Sequence, residues 1–151
     1  INCNYLKEIY MKYSARLSDA THLLVYIYLS EGNCVSSSDI AVSIKTNPSY
    51  IRQLMSKLKA AGLLKSMRGA AKPELSKSPE KISILDIYRA VEGNTPLLHL
   101  DTNINPECGI GVNVQLALQT FYEDIQKTTE CAMADITLAD VIKKYNFLIS
   151  R

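Results

Sequence analysis

Only three residues, Lys45-Thr46-Asn47, separate two short helical patterns, and this connection constrains the fold more than any other feature. On its far side, Asn47-Pro48 reads as a helix start. Asn accepts a hydrogen bond from a free backbone N–H, and Pro at the first helical position forfeits none. The helix that follows places Ile51, Leu54, Met55 and Leu58 at i, i+3, i+4 and i+7, and Gly62 ends it in the left-handed position. On the near side, Ser36 with Asp39 three residues on resembles a capping box, and Ile40, Ala41 and Ile44 form the buried stripe. Two short helices joined so tightly must cross, which is the helix–turn–helix arrangement.

The flanking sequence extends this unit. A first helix over about Leu17–Ser30 carries Leu17, Ala20, Leu24 and Ile27 or Tyr28 on one side and stops at Glu31-Gly32-Asn33. After Gly62, Leu63-Leu64-Lys65-Ser66-Met67 and Glu74-Leu75-Ser76 read as two short strands around the basic turn Arg68–Pro73, a wing. Ser83-x-x-Asp86 starts a further helix with Ile84, Ile87, Tyr88 and Val91 apolar, closed by Gly93.

From Asn94 to Gly111 no period is visible, and a loop this long in a compact domain is usually functional. The longest helix is expected over Val112 to about Met133. Its Val114, Leu118, Phe121, Ile125, Thr128 and Ala132 alternate steps of four and three, the spacing of a helix–helix seam. Thr137-x-x-Asp140 caps a last helix bearing Leu138, Val141, Ile142 and Tyr145. The expected fold is mainly α: a winged helix–turn–helix of three helices and a two-stranded wing, with a long C-terminal dimerisation helix. Residues 11–93 form the DNA-binding domain, 94–111 a loop and candidate sensor region, and 112–151 the dimerisation and terminal helices. The pattern begins near Met11, which marks that residue as a candidate start.

Charge is distributed unevenly. Residues 11–72 hold nine Lys/Arg against three acids, a balance of +6, whereas residues 73–151 hold seven against eleven. Between Ile40 and Pro73 there is no acid at all, which suits a polyanion-facing surface, the alternative being a solvated charged face. Burying the apolar stripe of the third helix turns Ser49, Tyr50, Arg52, Gln53, Ser56 and Lys57 to its other faces. Arg can pair two acceptors on guanine and Gln can pair adenine, and residues near the start of such a helix reach the bases. Ser49, Tyr50, Arg52 and Gln53 are the base-contact candidates, although Tyr50 is also suited to pack at the core edge. Lys57, Lys59 and Lys65 suit phosphates, as do Lys12, Ser14 and Arg16 before the first helix, and Arg68 at the wing tip suits a narrow minor groove. With the capping Asn47, the expected DNA-binding set is Lys12, Ser14, Arg16, Asn47, Ser49, Tyr50, Arg52, Gln53, Lys57 and Arg68.

MKYSARLSDATHLL at the start, NPSYIRQLMSKLKAAGLLKSMRG across recognition helix and wing, ISILDIYRAVEG and the late TLADV together resemble the Rrf2 family of bacterial winged-helix transcription regulators. The resemblance implies a homodimer joined through the long helix at Val114, Leu118, Phe121 and Ile125, binding a palindromic operator in double-stranded DNA and usually repressing. Two departures stand out. Family wings read Gly-Gly-Tyr after the Arg-Gly, where this chain has Ala70-Ala71-Lys72-Pro73. Iron–sulfur members place three Cys in the loop corresponding to Asn94–Gly111, where this chain keeps only Cys108, so neither a cluster nor another metal is expected.

The four Cys (Cys3, Cys34, Cys108, Cys131) are widely spaced, as suits reduced thiols in the cytoplasm. Cys108, and secondarily Cys34, are candidate redox sensors; the alternative for each is a small buried hydrophobe, and a small-molecule effector is a further option. No apolar run reaches the roughly 20 residues of a membrane helix, and the amino terminus lacks a secretory apolar segment. Phosphate loops, metal-ligand clusters and nucleophile elbows are absent, and His22 and His99 have no evident catalytic partners, so an enzyme is not expected. The rival reading is a winged helix used only for protein–protein contact.

Overall fold

In the computed structural model, residues 14–30, 33–66 and 72–151 are described. Among the described residues, six helices and a two-stranded antiparallel sheet follow in the order α1 (Arg16–Leu29), α2 (Ser37–Ile44), α3 (Pro48–Ala60), β1 (Leu64–Ser66), β2 (Pro73–Leu75), α4 (Ile84–Glu92), α5 (Gly109–Asp135) and α6 (Leu138–Ile149), with a 3₁₀ turn at Pro79–Lys81. The mainly helical winged architecture is the one the sequence predicts.

Local chemistry sets most boundaries. Ser36 Oγ accepts the backbone N–H of Asp39 while the Asp39 carboxylate accepts the N–H of Ser36, and the same reciprocal pairs begin α4 (Ser83/Asp86) and α6 (Thr137/Asp140). These bonds hold the Asp39 and Asp140 carboxyls below their ordinary range; for Asp39 the Ser36 side chain is the main cause, for Asp140 the backbone N–H of Thr137. Asn47 Oδ1 accepts the N–H of Tyr50 at 2.9 Å, and Pro48 takes the first helical position of α3. Between α2 and α3 the chain turns through Lys45, whose φ of 59° is left-handed, so that Thr46 N–H returns to the carbonyl of Ala41 at 2.9 Å. Gly62 at φ +70° plays the corresponding part after α3, where a Cβ would be strained.

The core is one cluster. Ala20, Leu23, Leu24 and Ile27 of α1 meet Ile40 and Ala41 of α2, Ile51, Leu54 and Leu58 of α3, and Ile87 and Val91 of α4. The strands pair Leu64 with Leu75, Lys65 with Glu74 and Ser66 with Pro73, and the Lys65 ammonium meets the Glu74 carboxylate at 3.5 Å. The core extends past residue 93. Leu138 and Ile142 of the last helix are buried in it, because Leu138 N–H donates to the Ile82 carbonyl and Ile84 N–H to the Ile136 carbonyl, each at 2.8 Å. By packing, α6 belongs with the winged-helix half.

The long helix differs from expectation at its start. It begins at Gly109 rather than Val112, so the irregular segment ends at Cys108. Gly109 and Gly111 adopt ordinary negative φ and continue the helix instead of breaking it. Over 27 residues α5 buries none completely and packs chiefly on α4.

Candidate nucleic-acid interface

α3 is held from three sides. Its apolar stripe of Ile51, Leu54 and Leu58 lies in the core, with Met55 half-buried beside it. At 3.6 residues per turn, Ser49, Gln53, Ser56 and Ala60 then point away from the core, and all four are exposed. One flank is tied to α1 and α4. Tyr50 Oη donates to Asp19 Oδ2 at 2.9 Å, and Lys57 Nζ donates to the Val91 carbonyl at 2.8 Å, near the end of α4. Burial, and then the bond to Asp19, push the Tyr50 hydroxyl up to about 12. The other flank presents Arg52, whose Nη1 donates to Ser37 Oγ at 3.2 Å and whose remaining donors face outward.

This geometry gives two of the expected contacts partners within the chain. Tyr50 is half-buried with its hydroxyl bonded to Asp19, as suits packing at the core edge rather than standing free beside Ser49 and Gln53. Lys57 donates to one of the last carbonyls of α4, which have no partner within their own helix, and stays exposed. Ser14 and Arg16 are likewise engaged: both side chains donate to the Glu92 carboxylate, the Arg16 guanidinium at 3.2 Å, and clamp the start of α1 to the end of α4. About half of the Arg16 side chain stays exposed, so it keeps a face for an anion. Asn47 is exposed, with its carbonyl oxygen spent on the cap. Lys12 and Arg68 lie outside the described residues.

Beside Arg52 opens a cleft of about 470 Å³, between the amino terminus of α2, α3 and β2. Arg52, Lys59 and Lys72 bring three cations to it, and Ser36 and Ser37 add hydroxyls. These three cations suit the cleft to a phosphate, while the start of α2 itself is closed by the Ser36/Asp39 cap. Lys72 was visible in the sequence only as a member of the acid-free run; the short β2 strand carries it to this flank.

On α5, Val114, Phe121 and Ile125 are 49%, 64% and 46% exposed, with Leu118 half-buried in the same row. Cys108 is the N-cap of this helix and its Sγ accepts the N–H of Gly111 at 3.5 Å. Cys34, Cys108 and Cys131 are all exposed free thiols in the chain, so Cys108 is not a buried hydrophobe there. His22 Nε2 meets Ser43 Oγ at 2.9 Å and joins α1 to α2.

A helix–turn–helix with an outward polar helix, a two-stranded wing and flanking cations defines a DNA-binding transcription regulator of the winged-helix class. The family model described as "Rrf2: Iron-dependent Transcriptional regulator" matches residues 13–144. YwnA of Bacillus subtilis (strain 168), whose name assigns it as an HTH-type transcriptional regulator, is 38% identical over 129 residues, covering 85% of this chain and 96% of YwnA. Among solved structures, a protein classed as DNA-binding superposes with a TM-score of 0.69 at 36% identity, covering 84% of this chain and 98% of that one. T. potens IscR superposes with a TM-score of 0.65 at 26% identity, covering 91% and 90%. The chain belongs to the Rrf2 family of transcriptional regulators, and its relatives are regulators rather than enzymes.

The family's iron dependence finds no matching ligand set here. Among the described residues no three His, Cys, Asp or Glu side chains gather in a way that would hold a metal ion. Cys108 stands at one end of α5 and Cys131 near the other, whereas an iron–sulfur cluster requires converging thiolates. Among the described residues no helix is long and apolar enough to cross a membrane.

Proposed function

We propose that the protein binds a palindromic operator in double-stranded DNA as a homodimer, and represses transcription from it. The observation that carries this reading is the outward face of α3, where Ser49, Arg52 and Gln53 stand exposed on a helix whose other sides are fixed by core, Asp19 and Val91. A rigid helix with those donors fits the major groove, with Arg52 and Gln53 on base edges and Ser49 beside them. Arg16, Asn47, Lys59 and Lys72 serve the phosphates, which position the protein without reading sequence.

The apolar row on α5 supports the homodimer: Val114, Leu118, Phe121 and Ile125 form a continuous seam on a helix about 40 Å long that the described residues leave largely exposed. An isologous contact of two such helices sets the two copies of α3 apart by a fixed distance, which a palindrome matches. Selection of bound sequences from a random duplex pool tests the reading. It is expected to return inverted repeats of constant spacing, with affinity falling steeply with salt; no enrichment over the starting pool would refute it.

For regulation, Cys108 is a candidate oxidant-sensing thiol, since it is exposed and caps the helix that carries the dimer seam. Cys34, exposed just before α2, is the second candidate. Mass spectrometry after mild peroxide is expected to find Cys108 modified first; an unmodified Cys108 with unaltered operator affinity removes the thiol from the mechanism.

A further inference from the structure

A polar network joins the long helix to the recognition helix. Arg89 of α4 donates to Glu130 Oε2 of α5 at 2.9 Å, and Gln126 Nε2 donates to Glu130 Oε1 at 2.6 Å. Gln126 Oε1 accepts the backbone N–H of Leu97 at 2.9 Å, which fixes where the irregular segment crosses α5. On α4, two residues beyond Arg89, the Val91 carbonyl takes the Lys57 ammonium of α3.

Against this network, between the irregular segment and α5, lies a cleft of about 620 Å³, within the range of small-molecule sites. Pro96, Leu98, Leu100 and the Tyr122 ring give it apolar walls, while His99 and Lys127 stand at its rim. Several of its acceptors are spent. Both Glu130 oxygens are engaged, as are both ends of the Gln126 amide, and Glu123 Oε1 accepts from Gln119 at 2.8 Å. Its donors are not: the Lys127 ammonium has no carboxylate partner among the described residues, and the Tyr122 hydroxyl and His99 ring have no hydrogen-bond partner there. What the cleft lacks is a single anionic acceptor on an apolar body. The Glu123 and Glu130 carboxylates in the same lining oppose any anion, and a doubly charged one most, so a single negative charge beside Lys127 fits best.

A second copy of the chain does not fit as the occupant. At 3.6 residues per turn, the cleft residues Gln119, Tyr122, Gln126 and Glu130 and the seam residues Val114, Leu118, Phe121 and Ile125 point roughly 115° apart around α5. A partner seated on the seam leaves the cleft open.

We propose that this cleft is the effector site of the regulator, and that it takes a small monocarboxylate with an aromatic or aliphatic body. The carboxylate pairs with Lys127 and accepts from Tyr122 or His99, while the body covers Pro96, Leu98 and Leu100. A molecule there presses on Gln126 and Glu130, changes how α5 holds α4, and so moves the helix that Lys57 ties to Val91. Its effect on DNA rests on the operator-binding reading above; its binding does not.

Titrating the full chain, without DNA, with 8-anilino-1-naphthalenesulfonate, a fluorescent monoanion with an apolar body, reads the site directly. Saturable binding of one dye per chain is expected, with competition by benzoate, phenylacetate or octanoate but not by the corresponding neutral amides. Lys127→Gln is expected to weaken the dye roughly tenfold or more, and Phe121→Asp, on the seam face, to leave it unchanged. Absence of saturable binding, equal competition by the amides, or an unaltered Lys127→Gln variant overturns the proposal. Dye binding that emerges only in Phe121→Asp also overturns it, because a second copy then fills the cleft. The competing acid is further expected to shift operator affinity severalfold in the wild type and not in Lys127→Gln; constant affinity at saturating acid removes the effector role. A chain that binds no operator at all defeats the DNA reading while leaving the dye titration to decide the cleft.

Discussion

α3 and α5 use opposite designs. α3 is 13 residues long, turns three apolar side chains into the core, and shows solvent a polar face. α5 is 27 residues long, buries no residue completely, and shows solvent a row of large apolar side chains. A polar outward face is stable in water alone and available to DNA. An apolar one is a liability in an isolated chain, since exposed apolar rows of this kind mark contact sites. The difference teaches that the winged-helix half is finished by intramolecular packing, whereas the long helix leaves open a row that the proposed dimer would cover.

The sharpest way to break that contrast is to truncate one isoleucine in each helix. Ile51→Ala empties a fully buried site and is expected to cost about 2–5 kcal/mol in denaturant unfolding, at any protein concentration. Ile125→Ala, at a site 46% exposed, is expected to lower the melting temperature only where the dimer forms, so its effect shrinks on dilution. Equal, concentration-independent losses would mean that α5 is packed like α3. Next in size is Phe121→Asp. It is expected to give a monomer in sedimentation and to weaken a two-half-site operator by about a hundredfold or more, since the second half-site is no longer delivered by the first. A dimeric Phe121→Asp protein would move the interface elsewhere.

On the α3 side, Arg52→Ala is expected to lower operator affinity by about 1–3 kcal/mol and to relax preference at one base position. Arg16→Ala should instead weaken all sequences alike and reduce the salt dependence. If Arg52→Ala behaves like Arg16→Ala, Arg52 is a phosphate contact held near Ser37 and not a reader of bases.

How much of this was visible in the sequence follows from the range of each interaction. The starts of α2, α3, α4 and α6 were legible because Ser36, Asn47, Ser83 and Thr137 close their caps within three residues. The start of α5 lies three residues before the expected Val112, because Gly109 and Gly111 fall in its first turn, capped by Cys108, where Gly does not carry the roughly 1 kcal/mol cost of a helix interior. At the interface, the outward position of Ser49, Arg52 and Gln53 followed from the buried stripe alone. The occupation of Tyr50 and Lys57 did not, since Asp19 lies 31 residues and Val91 34 residues away, and only the packing of α1 and α4 against α3 brings them near. The cleft at Lys127 had no sequence signal beyond a long irregular segment.

Tyr50 offers the finest distinction between positioning and reading. A base-contacting hydroxyl and one bonded to Asp19 are both lost in Tyr50→Phe, but the consequences differ. If the hydroxyl positions α3, the variant is expected to lose about 1 kcal/mol of stability, with sequence preference unchanged in the random-pool selection. The pH dependence separates them further. The folded hydroxyl is raised from its ordinary 10 to about 12 by burial and by Asp19, so the fold favours its protonated form. That contribution is complete below pH 10 and is lost as pH rises from there through about 12. Wild-type stability is therefore expected to fall more steeply than that of Tyr50→Phe across this window, the two curves running parallel below it. Parallel curves throughout, together with altered base preference in the variant, would return Tyr50 to the reading face and leave α3 tethered on that flank by Lys57 alone.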